Sequence, residues 1–276
     1  GGLIGESSAT SSWNRYIGSL VKGSHQTGGL IGRNNTVIAD SYSTGEVQSN
    51  SSYVGGLVGW SSATITGSTA TIGSTTYATG NVTGTDSTGG LLGYASNTSN
   101  AVVSYAYASG NVSGTGNVGG LVGYLYYYSG VNNATAFGNV TGSSNNVGGL
   151  VGYSYYNTIN ATTANGTVSG VSSVGGLVGY VYNSSTLTNS TANNLVTGAY
   201  GVRGTGSQVG GLVGYLGSST LTGSTANTVV LASSGVDVGG LIGQMSSSTV
   251  NTSGASGTVT GAGSVGGFVG SMYGSS

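Results

Sequence analysis

One short phrase recurs ten times along the chain, and its spacing constrains the fold more than any other feature of the sequence. Its complete form at positions 118–124 is Val-Gly-Gly-Leu-Val-Gly-Tyr. Successive copies are 27 to 35 residues apart. The Gly-Gly-Leu-aliphatic-Gly kernel, with Phe for Leu in the last copy, begins at Gly1, Gly28, Gly55, Gly89, Gly119, Gly148, Gly175, Gly210, Gly239 and Gly266. A period of this length indicates a solenoid or a propeller, in which each repeat packs on its neighbours.

Two further segments complete each repeat. In the repeat from Gly175, the second segment is STLTNSTA at 185–192, and elsewhere the third reads Gly-Asn-Val-Thr-Gly, as at 80–84. Such β-branched runs between Gly, Asn and Ser are typical of strands between turns, and no segment has the 3.6-residue apolar period of a helix. A propeller blade needs ~40–50 residues, which is longer than this repeat. We therefore predict an all-β, right-handed parallel β-solenoid (β-helix) of roughly triangular section, with three strands in each of about nine coils of 27–35 residues.

Three sets of apolar residues are predicted to stack inside the coils, with the phrase itself forming one core strand. Burial of these ladders would hold each coil closed, at ~25 cal/mol per Å² of apolar surface. The first ladder comprises Leu3, Leu30, Leu57, Leu91, Leu121, Leu150, Leu177, Leu212, Leu241 and Phe268. The second comprises Ile65, Leu187, Leu221 and Val250. The third comprises Val47, Val82, Val112, Val140, Val168, Val196 and Val259.

The whole chain, 1–276, is predicted to be one continuous repeat array. Residues 1–50 are its least regular part, and we expect them to face an end of the array or a partner. This segment holds six of the nine charged residues, namely Glu6, Arg15, Lys22, Arg33, Asp40 and Glu46. Because the chain starts inside one copy of the phrase and without Met, we expect it to be a piece of something longer.

Composition argues against several classes of partner. Charged residues make up 3% of the chain and the net charge is −1, so a footprint for nucleic acid or an anionic membrane is lacking. No apolar run approaches the roughly 18 residues of a membrane-spanning helix, so no membrane insertion is predicted. The absence of cysteine excludes disulfides and cysteine-bound metal.

The sequence also argues against catalysis. It has one histidine, His25, and five carboxylates that are scattered over separate repeats. The glycine-rich phrase lacks the lysine of a phosphate-binding loop, and the repeats lack the recurrent aspartate of calcium-binding solenoids. We predict that the protein is not an enzyme, and that it has no catalytic residue, cofactor or metal site.

Aromatic residues follow the kernel and form the leading candidate contact surface. In the outer repeats this position holds Glu, Arg, Gln or Ser, so it is expected to be exposed or at a corner. Stacking in register would gather the aromatic residues into one patch. Three interpretations stay open: a ladder that caps a corner, lateral self-association, and binding of a glycan. The candidate residues are Trp60, Tyr94, Tyr124, Tyr126, Tyr127, Tyr128, Tyr153, Tyr155, Tyr156, Tyr180, Tyr182 and Tyr215.

Two polar patterns add further candidates. Asn-x-Ser/Thr sequons are frequent, and in a host with N-glycosylation we expect modification on the outer faces. The candidate sites are Asn81, Asn111, Asn139, Asn165, Asn183 and Asn189. Outward-pointing Thr-x-Thr pairs begin at Thr64, Thr186, Thr220 and Thr258. Such pairs could order water and bind ice, although they are expected to divide between two faces.

Residues 104–124 carry a resemblance to a known family. They read Ser-Tyr-Ala-Tyr-Ala-Ser-Gly-Asn-Val-Ser-Gly-Thr-Gly-Asn-Val-Gly-Gly-Leu-Val-Gly-Tyr. This segment resembles the GLUG-motif repeat, named for its Gly-Leu-hydrophobic-Gly core, and the likeness extends over essentially the whole chain. The resemblance implies a bacterial or archaeal surface protein that is often adhesin-like, with an extracellular location and no active site.

Together these features predict a structural or adhesive extracellular repeat protein, the building block of a cell-surface stalk or a head-to-tail filament. Its expected partner is itself, head to tail or side by side, or the remainder of a longer repeat protein, since a bare solenoid end is an unpaired strand edge. The alternative is a ligand-binding solenoid that uses its tyrosine or threonine ladders for a glycan or for ice.

Overall fold

The protein is a stack of parallel coils, as the period predicts. The structure, a computed structural model, describes residues 1–68, 76–96, 102–194, 201–234 and 237–274. Within these residues every regular element is a strand, and the strands form five parallel sheets, one with ten strands and four with nine. Each strand pairs with its counterpart one repeat later; Val151, for example, lies opposite Val178. The all-β parallel solenoid of about nine coils is confirmed.

We number the sheets 1 to 5 in the order in which each coil visits them. Sheet 1 consists of Ile4–Ser7, Ile31–Asn34, Val58–Ser61, Leu92–Ser96, Val122–Tyr126, Val151–Tyr155, Val178–Tyr182, Val213–Gly217, Ile242–Ser246 and Val269–Tyr273. Sheet 2 consists of Ser11–Ser12, Ile38–Ala39, Ile65–Thr66, Val102–Ser104, Gly130–Asn132, Thr158–Asn160, Thr186–Thr188, Thr220–Thr222 and Thr249–Asn251.

The other three sheets complete each coil. Sheet 3 consists of Arg15–Tyr16, Tyr42–Ser43, Thr76–Ala78, Ala106–Ala108, Thr135–Ala136, Thr163–Ala164, Thr191–Ala192, Thr225–Asn227 and Gly254–Ser256. Sheet 4 consists of Leu20–Gly23, Glu46–Ser49, Val82–Thr83, Val112–Gly114, Val140–Gly142, Val168–Gly170, Val202–Gly204, Val230–Ala232 and Val259–Thr260. Sheet 5 consists of Thr27–Gly28, Val54–Gly55, Asp86–Gly89, Gly116–Gly119, Val147–Gly148, Val174–Gly175, Val209–Gly210, Asp237–Gly239 and Ser264–Gly266.

The repeated phrase forms a corner rather than one core strand, so the prediction of three strands in each coil is wrong. In the copy at 118–124, Gly116–Gly119 belongs to sheet 5 and Val122–Tyr126 belongs to sheet 1. Val118, Leu121 and Val122 are all fully buried. A single strand would turn Leu121 and Val122 to opposite faces, because side chains alternate along a strand. The bend between the two sheets lets both side chains point inward.

The glycine pair makes this corner possible because the coils approach each other closely there. A Cβ atom on Gly120 would lie 2.1 Å from the carbonyl oxygen of Gly149 in the next coil. That separation is far inside van der Waals contact, so any side chain would force the coils apart. The glycines of the phrase therefore serve close packing of backbone on backbone.

The predicted inner ladders are present, with one exception. Eight leucines of the first ladder, from Leu30 to Leu241, are fully buried, whereas Leu3 and Phe268 at its two ends are 53% and 41% exposed. The aliphatic ladder lines sheet 2, where Ile65, Leu187, Leu221 and Val250 occupy equivalent register positions. In the valine ladder, Val196 lies outside the described residues, and the position after Val168 belongs to Val202.

Buried hydroxyl groups connect the coils at two corners. Ser190, which is fully buried, accepts a hydrogen bond from the amide of Thr162 at 3.1 Å and donates one to the carbonyl of Thr188 at 2.7 Å. The corner after sheet 1 repeats this arrangement, since the amide of Ser185 donates to Ser219 Oγ at 3.2 Å. Each corner serine thus gives a backbone amide of the adjacent coil a hydrogen-bond acceptor. This bond fixes the register of the two coils.

The leucine ladder leads to a stability prediction. Replacing Leu177, inside the ladder, with Ala should lower the free energy of unfolding by about 2–5 kcal/mol, because a cavity remains in a packed core. The matched control is the same change at the exposed Leu3, which should have an effect within about 0.5 kcal/mol. Urea unfolding followed by circular dichroism measures both. Equal losses for the two variants would contradict the core role of the ladder.

Candidate functional site

The candidate aromatic residues come together on the outer side of sheet 1. Trp60, Tyr94, Tyr124, Tyr153, Tyr180 and Tyr215 occupy one column, each the register partner of the next. Their position is the middle of the strand rather than a corner. Successive tyrosine rings from Tyr94 to Tyr215 have centroids 5.2, 4.7, 5.0 and 4.5 Å apart and interplanar angles of 4 to 16°. The column is therefore a continuous stack of aromatic rings.

A second aromatic column runs beside the first. Tyr126, Tyr155 and Tyr182 lie two residues further along the same strands, with the first two ring centroids 5.6 Å apart. Tyr127, Tyr128 and Tyr156 follow at the corner after sheet 1, and all three have positive φ angles. Tyr127 stacks on Tyr156 at 5.6 Å, and Tyr128 meets Tyr156 edge to face at 4.8 Å. All twelve candidates thus belong to one surface, which we call the aromatic face.

The orientation of the rings limits what this face can do. Within the first column each ring lies against its neighbours, so the ring faces are covered and mainly edges and hydroxyls reach solvent. Among the candidates, only Tyr128 and Tyr182 are more than a third exposed, at 50% and 37%. Offset stacking of this kind contributes roughly 0.5–1.5 kcal/mol for each aromatic pair. The column therefore stabilises the packing of successive coils, and its outer edge remains available for contacts.

Stacking also changes the acidity of the phenols. Burial raises the pKa of Tyr124 and of Tyr180, and the neighbouring tyrosines raise it further. The pKa values of Tyr94 and Tyr153 are raised as well, again chiefly by burial. These four stacked tyrosines are consequently neutral phenols at physiological pH.

A second tyrosine ladder, on sheet 3, was missed by the sequence analysis. Tyr42, Tyr77 and Tyr107 stack with centroid distances of 4.6 and 5.0 Å, and Phe137 closes the column edge to face. A signal for it exists in the sequence, because each of these tyrosines lies three residues before a glycine in the pattern Tyr-x-Ser/Thr-Gly.

Three of the candidate glycosylation sites form an asparagine ladder at the start of sheet 4. Asn81 Oδ1 accepts the amide of Asn111 at 2.9 Å, and Asn111 Oδ1 accepts the amide of Asn139 at 3.0 Å. These three residues are exposed, as is Asn189, while Asn165 and Asn183 are half-buried. The ladder uses the side-chain oxygen, whereas a glycan would be attached to the side-chain nitrogen. Glycosylation stays a prediction.

Threonines are gathered on sheet 2 more closely than the sequence suggests. The pairs at Thr64, Thr186 and Thr220 belong to sheet 2 or its edge, and only the pair at Thr258 belongs to sheet 4. In the later coils Thr158, Thr186, Thr220 and Thr249 form one column of register partners. Thr186 Oγ1 donates a hydrogen bond to Thr158 Oγ1 at 3.1 Å.

Charged groups contribute little chemistry in the part of the chain that the structure describes. No group of three or more His, Cys, Asp or Glu side chains there could hold a metal ion. Arg33 pairs with Glu6 at 3.6 Å, with both side chains about half exposed, and its guanidinium lies 4.9 Å from the Trp60 ring centroid. None of the described residues forms a helix long and apolar enough to cross a membrane.

Comparison with known proteins agrees with this architecture. Stacked parallel sheets with one strand from each repeat define a β-solenoid repeat protein. The family model of the GLUG motif matches residues 23–48 and 170–197, which include the kernels at Gly28 and Gly175. These two segments therefore match the GLUG motif, one near the start of the chain and one in its second half. Neither the curated proteins nor the solved structures gave a match.

The raised pKa values predict a loss of stability at alkaline pH. A phenol whose pKa is higher in the folded protein stabilises the fold fully below its unfolded pKa of about 10, and that stabilisation is lost as the pH rises above it. We expect the urea midpoint to fall between about pH 8 and pH 11, and Tyr180→Phe, which keeps the stacked ring but cannot ionise, should reduce this fall. The exposed Tyr273→Phe is the matched control. A Tyr180→Phe profile identical to that of the control would contradict the prediction.

Proposed function

We propose that this chain is a structural and adhesive extracellular repeat protein, the building block of a cell-surface stalk or of a head-to-tail filament. The observation that carries the proposal is the leucine ladder. Its eight inner members are fully buried, and only Leu3 and Phe268, which have a coil on one side alone, are exposed. Each coil is thus built to be covered by another coil, so a solenoid of this sequence is suited to extension along its axis.

The surface supports the same proposal. Solvent-facing columns consist mainly of Thr, Asn, Ser and Tyr, and they repeat from coil to coil with little charge. A surface with the same chemistry along its length suits a spacer or a multivalent contact better than it suits a single active site, which would require a few convergent polar groups. The aromatic face offers tyrosine edges and hydroxyls for lateral contact with a second solenoid or with a surface.

Electron microscopy tests the proposal directly. The purified chain at high concentration is expected to form unbranched fibres whose width is that of one solenoid or a small bundle. Their X-ray fibre pattern should contain a meridional reflection near 4.7–4.8 Å, the spacing of strands along the axis. A single monomeric species in sedimentation velocity over the same concentration range would contradict the filament form of the proposal.

A second candidate function, ice binding, is favoured by the threonine column of sheet 2. Along the column the hydroxyls repeat with the coil spacing of about 4.8 Å, and across the strand Thr220 and Thr222 are about 6.6 Å apart. Hydroxyls and methyls that repeat on an uncharged sheet in this way can hold ordered water in a pattern close to that of an ice surface. The glycan alternative has weaker support, because the stacked tyrosines cover the ring faces on which a sugar would lie.

Thermal hysteresis separates this second candidate from the first. If sheet 2 binds ice, the protein should lower the freezing point below the melting point, and Thr220→Lys should abolish the gap. Thr141→Lys, an exposed threonine on sheet 4, is the matched control and should leave it unchanged. Absence of hysteresis in the unaltered protein would exclude ice binding while leaving the filament proposal intact.

A further inference from the structure

Three tyrosines of the aromatic face lie in a backbone conformation that tyrosine rarely adopts. Tyr127, Tyr128 and Tyr156 have φ angles of 48, 49 and 60° at the corner after sheet 1. Bulky side chains are uncommon in this left-handed region, because the Cβ atom comes too close to the following carbonyl oxygen. A strained conformation of this kind points to a role for the side chain beyond shaping the backbone.

The following coils show that the corner itself does not need tyrosine. Tyr156 is followed in register by Asn183, Ser218 and Ser247, and these three residues also have positive φ angles. Asparagine tolerates this conformation because its short side chain can hydrogen-bond locally. Since the corner forms with small polar side chains, the tyrosines of the two earlier coils are explained by their rings rather than by the fold.

The rings of Tyr128 and Tyr156 meet across two adjacent coils. Their centroids are 4.8 Å apart and their planes are inclined by 73°, so an edge of one ring points at the other. Hydrogen bonding to Tyr156 is the first cause that raises the pKa of Tyr128, which indicates that the two hydroxyl groups face each other. The ring carbons beside these hydroxyls are therefore close together. Because Tyr128 is 50% exposed, a reagent in solution can reach the pair.

The first aromatic column has a different arrangement. Tyr124, Tyr153 and Tyr180 stack with interplanar angles of 12 and 5°, so each ring presents its face rather than its edge to the next. All three residues are partly buried. A bond between ring-edge carbons would require these rings to leave the stack. The corner pair, in contrast, already has an edge directed at its neighbour.

The chain has no cysteine, so it cannot join its coils by disulfide bonds. Two phenols in contact offer another covalent bond, a carbon–carbon bond between the ring carbons beside the hydroxyls. Directly bonded phenol rings have centroids only slightly closer together than those of Tyr128 and Tyr156. A small rotation of the exposed Tyr128 ring would therefore bring the two carbons together without moving the backbone.

We propose that Tyr128 and Tyr156 are a site of oxidative cross-linking, at which a haem peroxidase with hydrogen peroxide converts the pair to dityrosine. Each phenol gives up one electron and its hydroxyl proton and becomes a phenoxyl radical. The two radicals form one bond between the carbons beside their oxygens. The hydrogens on these carbons then move to the oxygens, which restores both phenols. The two electrons and two protons that were removed reduce one hydrogen peroxide to two waters.

The cross-link would fasten one coil to the next. Because Tyr128 and Tyr156 belong to successive repeats, the bond closes a loop of about one coil and restricts the unfolded chain, as a disulfide does. The two coils could then no longer be pulled fully apart. This modification requires neither filament formation nor a second copy of the chain, so it stands or falls separately from the proposed function.

Oxidation of the folded protein tests the site. Dilute unaltered protein is treated with a haem peroxidase and hydrogen peroxide, and the product is analysed by intact mass and by tandem mass spectrometry of proteolytic fragments. We expect a monomer that is lighter by two hydrogen atoms, with one cross-linked pair of fragments that contains Tyr128 and Tyr156. Its urea midpoint should be higher than before oxidation, because the bond restricts the unfolded chain.

Two phenylalanine variants complete the test. Tyr128→Phe keeps the ring but cannot form a phenoxyl radical, so it should lose both the cross-linked monomer and the rise in urea midpoint. Tyr182→Phe is the matched control, because Tyr182 is exposed on the same face and its ring centroid is 6.1 and 6.2 Å from those of Tyr155 and Tyr180. It should react like the unaltered protein. Equal loss of product in both variants, cross-links between chains only, or a bond that joins a different pair would overturn the proposal.

Discussion

Everything in this molecule depends on parallel coils that stack in register about 4.8 Å apart. Each side chain then has its counterpart from the next repeat as its nearest neighbour, so residues of one type must be able to lie side by side along a column. Like charges are unfavourable in such a column, because two charges about 5 Å apart repel by about 0.8 kcal/mol even in bulk water. The 3% charge content of the chain follows from this constraint, and the adjacent charges of Glu6 and Arg33 have opposite signs.

Side chains that can bond to or stack on an equivalent residue in the next coil satisfy the same constraint. Asparagine has a donor and an acceptor, so Asn81, Asn111 and Asn139 can form a ladder with the backbone. Serine does the same at buried corners with its hydroxyl. Tyrosine stacks, and the columns on sheets 1 and 3 use that property on different groups of coils. Both the polar surface and the apolar interior therefore consist of side chains that pack favourably against equivalent residues of the adjacent coils.

The sequence predicts the coil well and its corners poorly. The period and the leucine and valine ladders follow from residues that recur at fixed spacing, which is what stacking requires. The five sheets could not be found in this way, because strands of two or three residues such as Thr135–Ala136 are too short to show alternation. The bend at Gly120 cannot be read from spacing either, because it depends on the close approach of Gly149 in the next coil.

The aromatic face shows a similar division. Repetition after the kernel is enough to predict that Tyr124, Tyr153 and Tyr180 share one patch. The orientation of their rings cannot be predicted from spacing, because it depends on the side-chain torsion angles. In the structure the rings are stacked, and each ring therefore covers the face of the next. Tyr42, Tyr77 and Tyr107 do not follow the kernel directly, so repetition after the kernel does not indicate them.

The direction of the inter-coil hydrogen bonds has a mechanical consequence. These bonds run along the axis of the rod, so a pull on its two ends loads them in tension, and coils separate one at a time from an end. A coil occupies about 4.8 Å of the rod but contains 27 to 35 residues, which extend to roughly 90–120 Å. A tether made of such coils would lengthen about twentyfold where it opens while the remaining coils stay folded, and so would absorb sudden force without breaking.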